Sequence, residues 1–69
     1  MEITFDKEAD ALYIQLSEGE FNSNKKIDKD TIIDLDKEEN ILGIELLNVS
    51  KRISKGFLSD VRVKNLVST

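Results

Sequence analysis

The sequence predicts an α+β domain in which an antiparallel sheet, a meander of four or five strands, is followed by a short C-terminal helix. Two observations favour this fold class. Short segments alternate between apolar and polar residues, which is the period of a half-buried strand. Two pairs of these segments collect their apolar residues on one face when each pair is joined as a hairpin. At 69 residues the chain fits a single small domain, residues 1–69.

The first predicted hairpin joins residues 2–5 to residues 10–16 through a polar loop at residues 6–9. A four-residue loop places Ile3 opposite Leu12, so apolar side chains of both strands meet on one face. A slip of one residue would turn one of the two apolar sets toward solvent. The agreement of both patterns therefore supports an antiparallel pair.

The second predicted hairpin closes on Asp36 and Ile41 around another four-residue polar loop. Leu35 then lies opposite Leu42, and the aliphatic side chains again share one face. The opposite face carries the acidic side chains and Gly43. The two strands are residues 31–36 and 41–47.

Residues 21–27 form the weakest of the predicted strands. Its centre is polar on both faces. This pattern is typical of an edge strand, and Lys25 and Lys26 would discourage further strand pairing. After the last strand, Asn48 or Ser50 is suited to cap a short helix that Gly56 interrupts. We therefore expect a core of residues 1–53 and a helix or a frayed tail over residues 54–69.

Size and composition predict self-association. A chain of about 60 residues buries only roughly 60% of its unfolded surface, so small domains commonly need disulfides, metals or oligomerisation. The sequence has no cysteine and no histidine. Apolar residues occur on both faces of the predicted sheet, and one short helix cannot cover both. We expect a homo-oligomer, most simply a dimer.

The formal net charge of −4 disfavours binding to phosphate backbones and therefore to nucleic acid. An acidic surface suits either a basic protein partner or solubility alone. No apolar run approaches the ~20 residues that span a bilayer, so no membrane association is expected. The first residues lack a basic stretch before an apolar core, so we expect no secretion signal and a cytoplasmic location.

A cluster of acidic residues is the strongest candidate for a ligand-binding or catalytic site. Asp34 and Asp36 are two residues apart on one predicted strand and share a face, and Glu45 lies on the same face of the next strand. Carboxylate oxygens suit Mg²⁺, Ca²⁺ or Mn²⁺. The alternative is a solvated sheet face with ordinary acids, and this is the interpretation we favour. The prediction is therefore no metal and no cofactor, with these three residues as the candidate ligands.

Catalysis is disfavoured because no cysteine or histidine can act as nucleophile or base, and no serine lies in a G-x-S-x-G context. We expect a protein that binds rather than an enzyme. The predicted interaction surface uses Tyr13, Ile32 and Ile41, which lie on the face opposite Leu12 and Ile14, or else the exposed edge near Phe21. Alternatively, Tyr13 packs beneath the helix or across a dimer contact with its hydroxyl in water.

Three segments of the sequence resemble the YuzE-like family of small uncharacterised prokaryotic proteins. They are ADALYI at residues 9–14, IDLD at residues 33–36 and GIELLNVSKR at residues 43–52. The resemblance implies antiparallel strands followed by a helix, and it implies no activity or catalytic residues. It also implies an antitoxin-like role, since members look like partners encoded beside small basic proteins of toxin type. A small metal- or ligand-binding regulator built on the acidic face is the second hypothesis.

Overall fold

A computed structural model describes residues 1–60 and Arg62 and confirms the α+β fold class. Five strands form one antiparallel sheet, and two short helical turns follow it. The predicted features at Val61 and residues 63–69 lie outside the described residues. The strands are β1 (Glu2–Asp6), β2 (Ala11–Gln15), β3 (Ser23–Asp28), β4 (Thr31–Leu35) and β5 (Ile41–Leu47), and the helices are α1 (Val49–Arg52) and α2 (Lys55–Leu58).

The sheet order is β1-β2-β5-β4-β3, so the strands do not follow one another as in the predicted meander. Strand β5 lies at the centre, between β2 and β4. It is the longest strand and almost wholly apolar, which suits a position with neighbours on both sides. The polar strand β3 lies at an edge, as its sequence predicts. Residues 16–22 connect β2 to it past the end of the sheet.

The register of the first hairpin differs from the predicted one by two residues. Ile3 pairs with Ile14, and Phe5 pairs with Leu12. The loop is residues 7–10 because the Asp6 carboxylate accepts hydrogen bonds from the backbone N–H groups of Glu8 and Ala9, each at 3.1 Å. Strand β1 therefore includes Asp6, which the sequence predicts to lie in the loop. A shift of two residues leaves every side chain on its predicted face.

The second hairpin has the predicted register at Ile33 and Ile44, but a bulge follows and pairs Leu35 with Ile41 instead of Leu42. The Asp36 carboxylate explains the difference. It accepts hydrogen bonds from the backbone N–H groups of Glu38 at 2.9 Å and Asn40 at 2.8 Å. Asp36 therefore belongs to the loop and does not pair with a residue of β5.

Helix α1 follows directly after Asn48, whose φ of 52° lies in the left-handed region and whose side chain caps no helical N–H. The cap comes from Asp10 in the β1–β2 loop. Its carboxylate accepts from the Ser50 backbone N–H at 3.0 Å and from the Ser50 hydroxyl at 2.7 Å. Gly56 lies within α2 rather than at the break, which falls at Ile53, where the backbone is extended.

Arg52 fixes the helical segment to the turn between β3 and β4. Its guanidinium donates to the Asp30 carbonyl at 2.7 Å and to the Thr31 hydroxyl at 3.1 Å. Asn48 donates its side-chain N–H to the Asp30 carboxylate at 2.8 Å. Val49, between these contacts, is fully buried. The helical segment is therefore anchored over one end of the sheet.

The sheet is a thin layer with little core. Among the described residues, the buried hydrophobic side chains are Leu12, Leu42 and Val49 alone. The smallest dimension of the protein is 18 Å, little more than one sheet and one partial layer of helix. No helix in the described part of the chain is long and apolar enough to cross a membrane. The two described helices therefore leave most of both sheet faces uncovered.

Candidate binding face

One face of the sheet gathers the polar and aromatic residues that the sequence singled out. Cross-strand partners share a face, so the register defines this surface row by row. We call it the Tyr13 face. Its central row is Thr4, Tyr13, Glu45, Ile32 and Lys26, and the next row is Glu2, Gln15, Gly43, Asp34 and Asn24.

Gly43 makes room for the Tyr13 side chain. A Cβ atom at Gly43 would fall within 3.0 Å of the Oη, Cζ and Cε1 atoms of Tyr13. The phenol end of Tyr13 therefore lies directly over the Gly43 backbone, on the central strand. Tyr13 is half-buried as a result, although neither α1 nor α2 covers this face. The Tyr13 ring packs against the backbone of the sheet at Gly43.

Asp34 and Glu45 form a close pair of carboxyl groups beside Tyr13. The pKa of Glu45 is raised, chiefly because its protonated form hydrogen bonds to Asp34 and also because of burial and the Asp34 charge. The Oδ1 atom of Asp34 is buried and has no hydrogen-bond partner. When both groups are ionised, they are two acceptors without a donor. A proton shared between the two groups, or a donor from outside such as a cation, would satisfy the pair.

The same two acids affect Tyr13. Burial raises the pKa of its hydroxyl, and the negative charges of Asp34 and Glu45 raise it further. These side chains, together with Thr4, line a shallow open depression of about 340 Å³. A depression of this size is large enough for one side chain of a partner but lacks the enclosure of an enzyme cleft.

The third candidate ligand, Asp36, does not join this pair. Its second carboxylate oxygen accepts from the Asn40 side chain at 3.0 Å, and its first is engaged by the loop. The Asn40 side chain, the strongest influence, and the loop N–H groups lower the pKa of Asp36. Within the described residues, no three acidic, cysteine or histidine side chains converge as metal ligands would.

Of the predicted interaction residues, Tyr13 and Ile32 lie in the same row of the Tyr13 face, one on each side of Glu45. Ile41 is exposed at 45% but pairs with Leu35 across the bulge. That pairing places it with the opposite face. Asp36 explains why Ile41 does not share a face with Ile32. The predicted placement of Ile41 requires Asp36 to pair with it in the sheet, but Asp36 lies in the loop.

Residues 2–50 match a family model described as a protein of unknown function, DUF2283. The chain belongs to the DUF2283 family. No curated protein and no solved structure matches it. The DUF2283 match spans all five strands and ends at Ser50, so it contains the Tyr13 face and the Asp10–Ser50 contact. YuzE-like, the name suggested by the sequence motifs, stays a resemblance.

The structure assigns a further role to residues in those motifs. In this DUF2283 domain, Asp10, Asn48 and Arg52 make the hydrogen bonds that join the helical segment to two turns of the sheet. The sequence shows Asp10 directly before an apolar strand and Asn48 directly after one, positions where polar side chains commonly hydrogen bond to backbone groups. Their partners could not be read, since they lie 18 to 40 residues away in the chain.

Proposed function

We propose that this domain is a non-enzymatic protein-interaction module and that its Tyr13 face binds a basic protein. The observation that carries the proposal is the buried Oδ1 atom of Asp34, which has no hydrogen-bond partner and lies beside the ionisable Glu45. An unpaired buried carboxylate oxygen costs free energy that a cationic donor would recover. The open face gives such a donor access.

The charge on the Tyr13 face supports a cationic partner. By the register, Glu2, Asp6, Asp34 and Glu45 lie on this face and are opposed only by Lys26. An arginine of the partner could donate two hydrogen bonds to the carboxyl pair. The Tyr13 ring beside the pair could support the same guanidinium through a cation–π contact.

An antitoxin-like pairing with a basic toxin is the most concrete form of this proposal. The acidic face supports it, because attraction between opposite charges speeds association and selects against acidic competitors. The metal-binding hypothesis has less support, since Asp36 is engaged in its own loop and leaves two candidate ligands where at least three are needed.

The test is co-purification of the tagged domain from its native host, beside two charge-reversal variants. Glu45→Lys places a positive charge in the centre of the Tyr13 face. Glu38→Lys makes the same change of charge in the exposed β4–β5 loop. We expect a basic protein to be recovered with the parent and with Glu38→Lys, and to be lost with Glu45→Lys.

Salt and pH give a second readout of the same interaction. Association should slow as salt rises, because charge attraction acts mainly on the encounter. Binding should tighten as pH rises through the raised pKa of Glu45, since the ionised pair attracts the cation more strongly. Equal recovery with Glu45→Lys and Glu38→Lys would contradict this choice of surface, and recovery of no basic partner would contradict the proposed function.

A further inference from the structure

We infer that the other face of the sheet packs against the same face of a second copy of this chain, giving a two-layered sandwich. This face is defined by a row of four isoleucines that crosses four strands, and we call it the isoleucine face. The members of the row are Ile3, Ile14, Ile44 and Ile33, with Lys25 at its end. The inference is independent of the basic partner proposed for the Tyr13 face.

The isoleucine row is central in the sheet and yet uncovered. Ile14 and Ile44 lie on inner strands with neighbours on both sides, and neither is buried. Ile3 at one end of the row is 37% exposed. The helical segment is anchored near the next row, where it lies beside Phe5 and contacts Thr31 through Arg52. Within residues 1–60, the helical segment therefore leaves the isoleucine row without a second layer.

Three of the exposed large hydrophobic residues, Ile3, Phe5 and Ile41, lie on this side of the sheet. Phe5 is 38% exposed and lies in the row beside the isoleucines, and the bulge brings Ile41 to the same side with 45% exposed. A contiguous apolar patch of this kind marks an interaction site in small proteins. Every strand of the sheet except β3 contributes an apolar side chain to it.

A second copy is the occupant that the surface fits best. Apart from Lys25 at its end, the isoleucine row carries no charge that would select a partner of opposite charge. Two such faces are matched to each other, and a two-fold axis sets apolar row against apolar row about 10 Å apart, the spacing of packed sheets. The described part of the chain buries few apolar side chains, so a dimer would stabilise it by burying more apolar surface.

The size of the face determines how far such a contact must extend. Four spacings of about 4.8 Å between five strands and four spacings of about 3.4 Å between five residues give a projection of roughly 19 by 14 Å between backbone positions. A stable interface buries about 800 Å² of accessible surface on each partner. The row alone falls short of this area, so the contact must extend over Phe5 and Ile41 to the edges of the face.

The test compares two adjacent isoleucines on opposite faces of β4. Ile33→Glu places a charge in the isoleucine row, and Ile32→Glu places the same charge on the Tyr13 face. In sedimentation at micromolar concentration we expect a dimer for the parent and for Ile32→Glu. Ile33→Glu should weaken self-association on the order of 100-fold, because a buried unpaired charge is strongly unfavourable in an interface. Circular dichroism checks that each variant is folded.

A second pair of variants serves if Ile33→Glu does not fold. Ile3→Glu and Thr4→Glu are adjacent on the exposed edge strand β1 and lie on opposite faces, so a folded monomer tolerates both. Only Ile3→Glu should impair the dimer. The melting temperature of the parent should rise with its concentration. A parent that is monomeric at every concentration would overturn the inference, as would a dimer that Ile32→Glu or Thr4→Glu disrupts while Ile33→Glu and Ile3→Glu leave it intact.

Discussion

At Gly43 the absence of a side chain determines how the Tyr13 face is built. Its backbone supports the phenol end of Tyr13, where any Cβ atom would overlap with the ring. Burial there raises the pKa of the hydroxyl, and the charges of the neighbouring Asp34 and Glu45 raise it further. The sequence placed Gly43 opposite Asp34 correctly, but the position of Tyr13 over Gly43 required the pairing of β2 with β5.

Gly43→Ala should destabilise the domain by about 1–3 kcal/mol, because the added methyl group overpacks the contact with Tyr13. Tyr13→Ala removes the ring, so in that background the cost of Gly43→Ala should fall to near zero. Urea denaturation of the parent, the two single variants and the double variant measures this coupling. Additive costs would show that Tyr13 does not lie over Gly43.

Glu45→Gln should stabilise the domain at neutral pH. The raised pKa of Glu45 means that its stabilising protonated form is present below the unfolded value near 4.5 and is lost as pH rises through the folded value. Gln keeps a donor for Asp34 and never ionises. We expect a melting temperature about 2–4 °C higher at pH 7, which corresponds to roughly 0.5 kcal/mol in a domain of this size.

The advantage of Glu45→Gln should shrink as pH falls below 4.5, where Glu45 is protonated in both states. Glu38→Gln, in the exposed loop, is the matched control and should follow the parent at every pH. A Glu45→Gln difference that stays constant between pH 3 and pH 8 would show that the carboxyl pair does not share a proton.

At the scale of elements, local side chains decide where each hairpin turns. Asp6 and Asp36 both hold loop N–H groups with their carboxylates, and each loop is therefore displaced from the position that strand alternation predicts. Asp6 stays in its strand, whereas Asp36 leaves the ladder and produces the bulge at Leu35. An aspartate before a loop indicates such a turn in the sequence. Its effect on the strand register cannot be predicted from the sequence.

The strand order was beyond the reach of the sequence pattern for a different reason. Alternation identifies a half-buried strand and its inward face, and it does so for four of the five strands, whereas the centre of β3 is polar on both faces. It gives no information on which edge a strand joins, because β2 and β5 pair across 28 to 36 residues of chain. The helical cap shows the same limit, since Asp10 and Ser50 are brought together by the pairing of the strands.

Asp10→Ala should lower the stability of the domain by about 1–2 kcal/mol, since it removes the cap of α1. Part of the loss is backbone strain, because Asp10 has a φ of 53° that alanine tolerates poorly. Asp10→Gly also removes the cap, but glycine adopts this φ without strain, so this variant should lose less stability than Asp10→Ala. Chemical denaturation ranks the two. Equal stability of Asp10→Ala and the control Glu8→Ala would contradict the assigned cap.

At the scale of the whole molecule, the part of the chain that the structure describes forms a single sheet with a partial helical layer and two chemically distinct faces. One face carries Tyr13 and the acidic pair, and the other carries the isoleucine row. The sequence predicted that one short helix could not cover both, and it placed Tyr13 and Ile32 together. It could not tell which face the helix joins, because that depends on the contacts of Arg52 with the β3–β4 turn.

The central claim is that the two faces have separate partners, and methyl NMR of isoleucine-labelled protein tests it most directly. Ile32 reports on the Tyr13 face, while Ile33 and Ile44 report on the isoleucine face. Dilution of the protein alone should shift the methyl signals of Ile33 and Ile44 and leave Ile32 unchanged. Addition of the recovered basic partner should shift Ile32 alone. Shifts of all three signals together in either titration would contradict the claim.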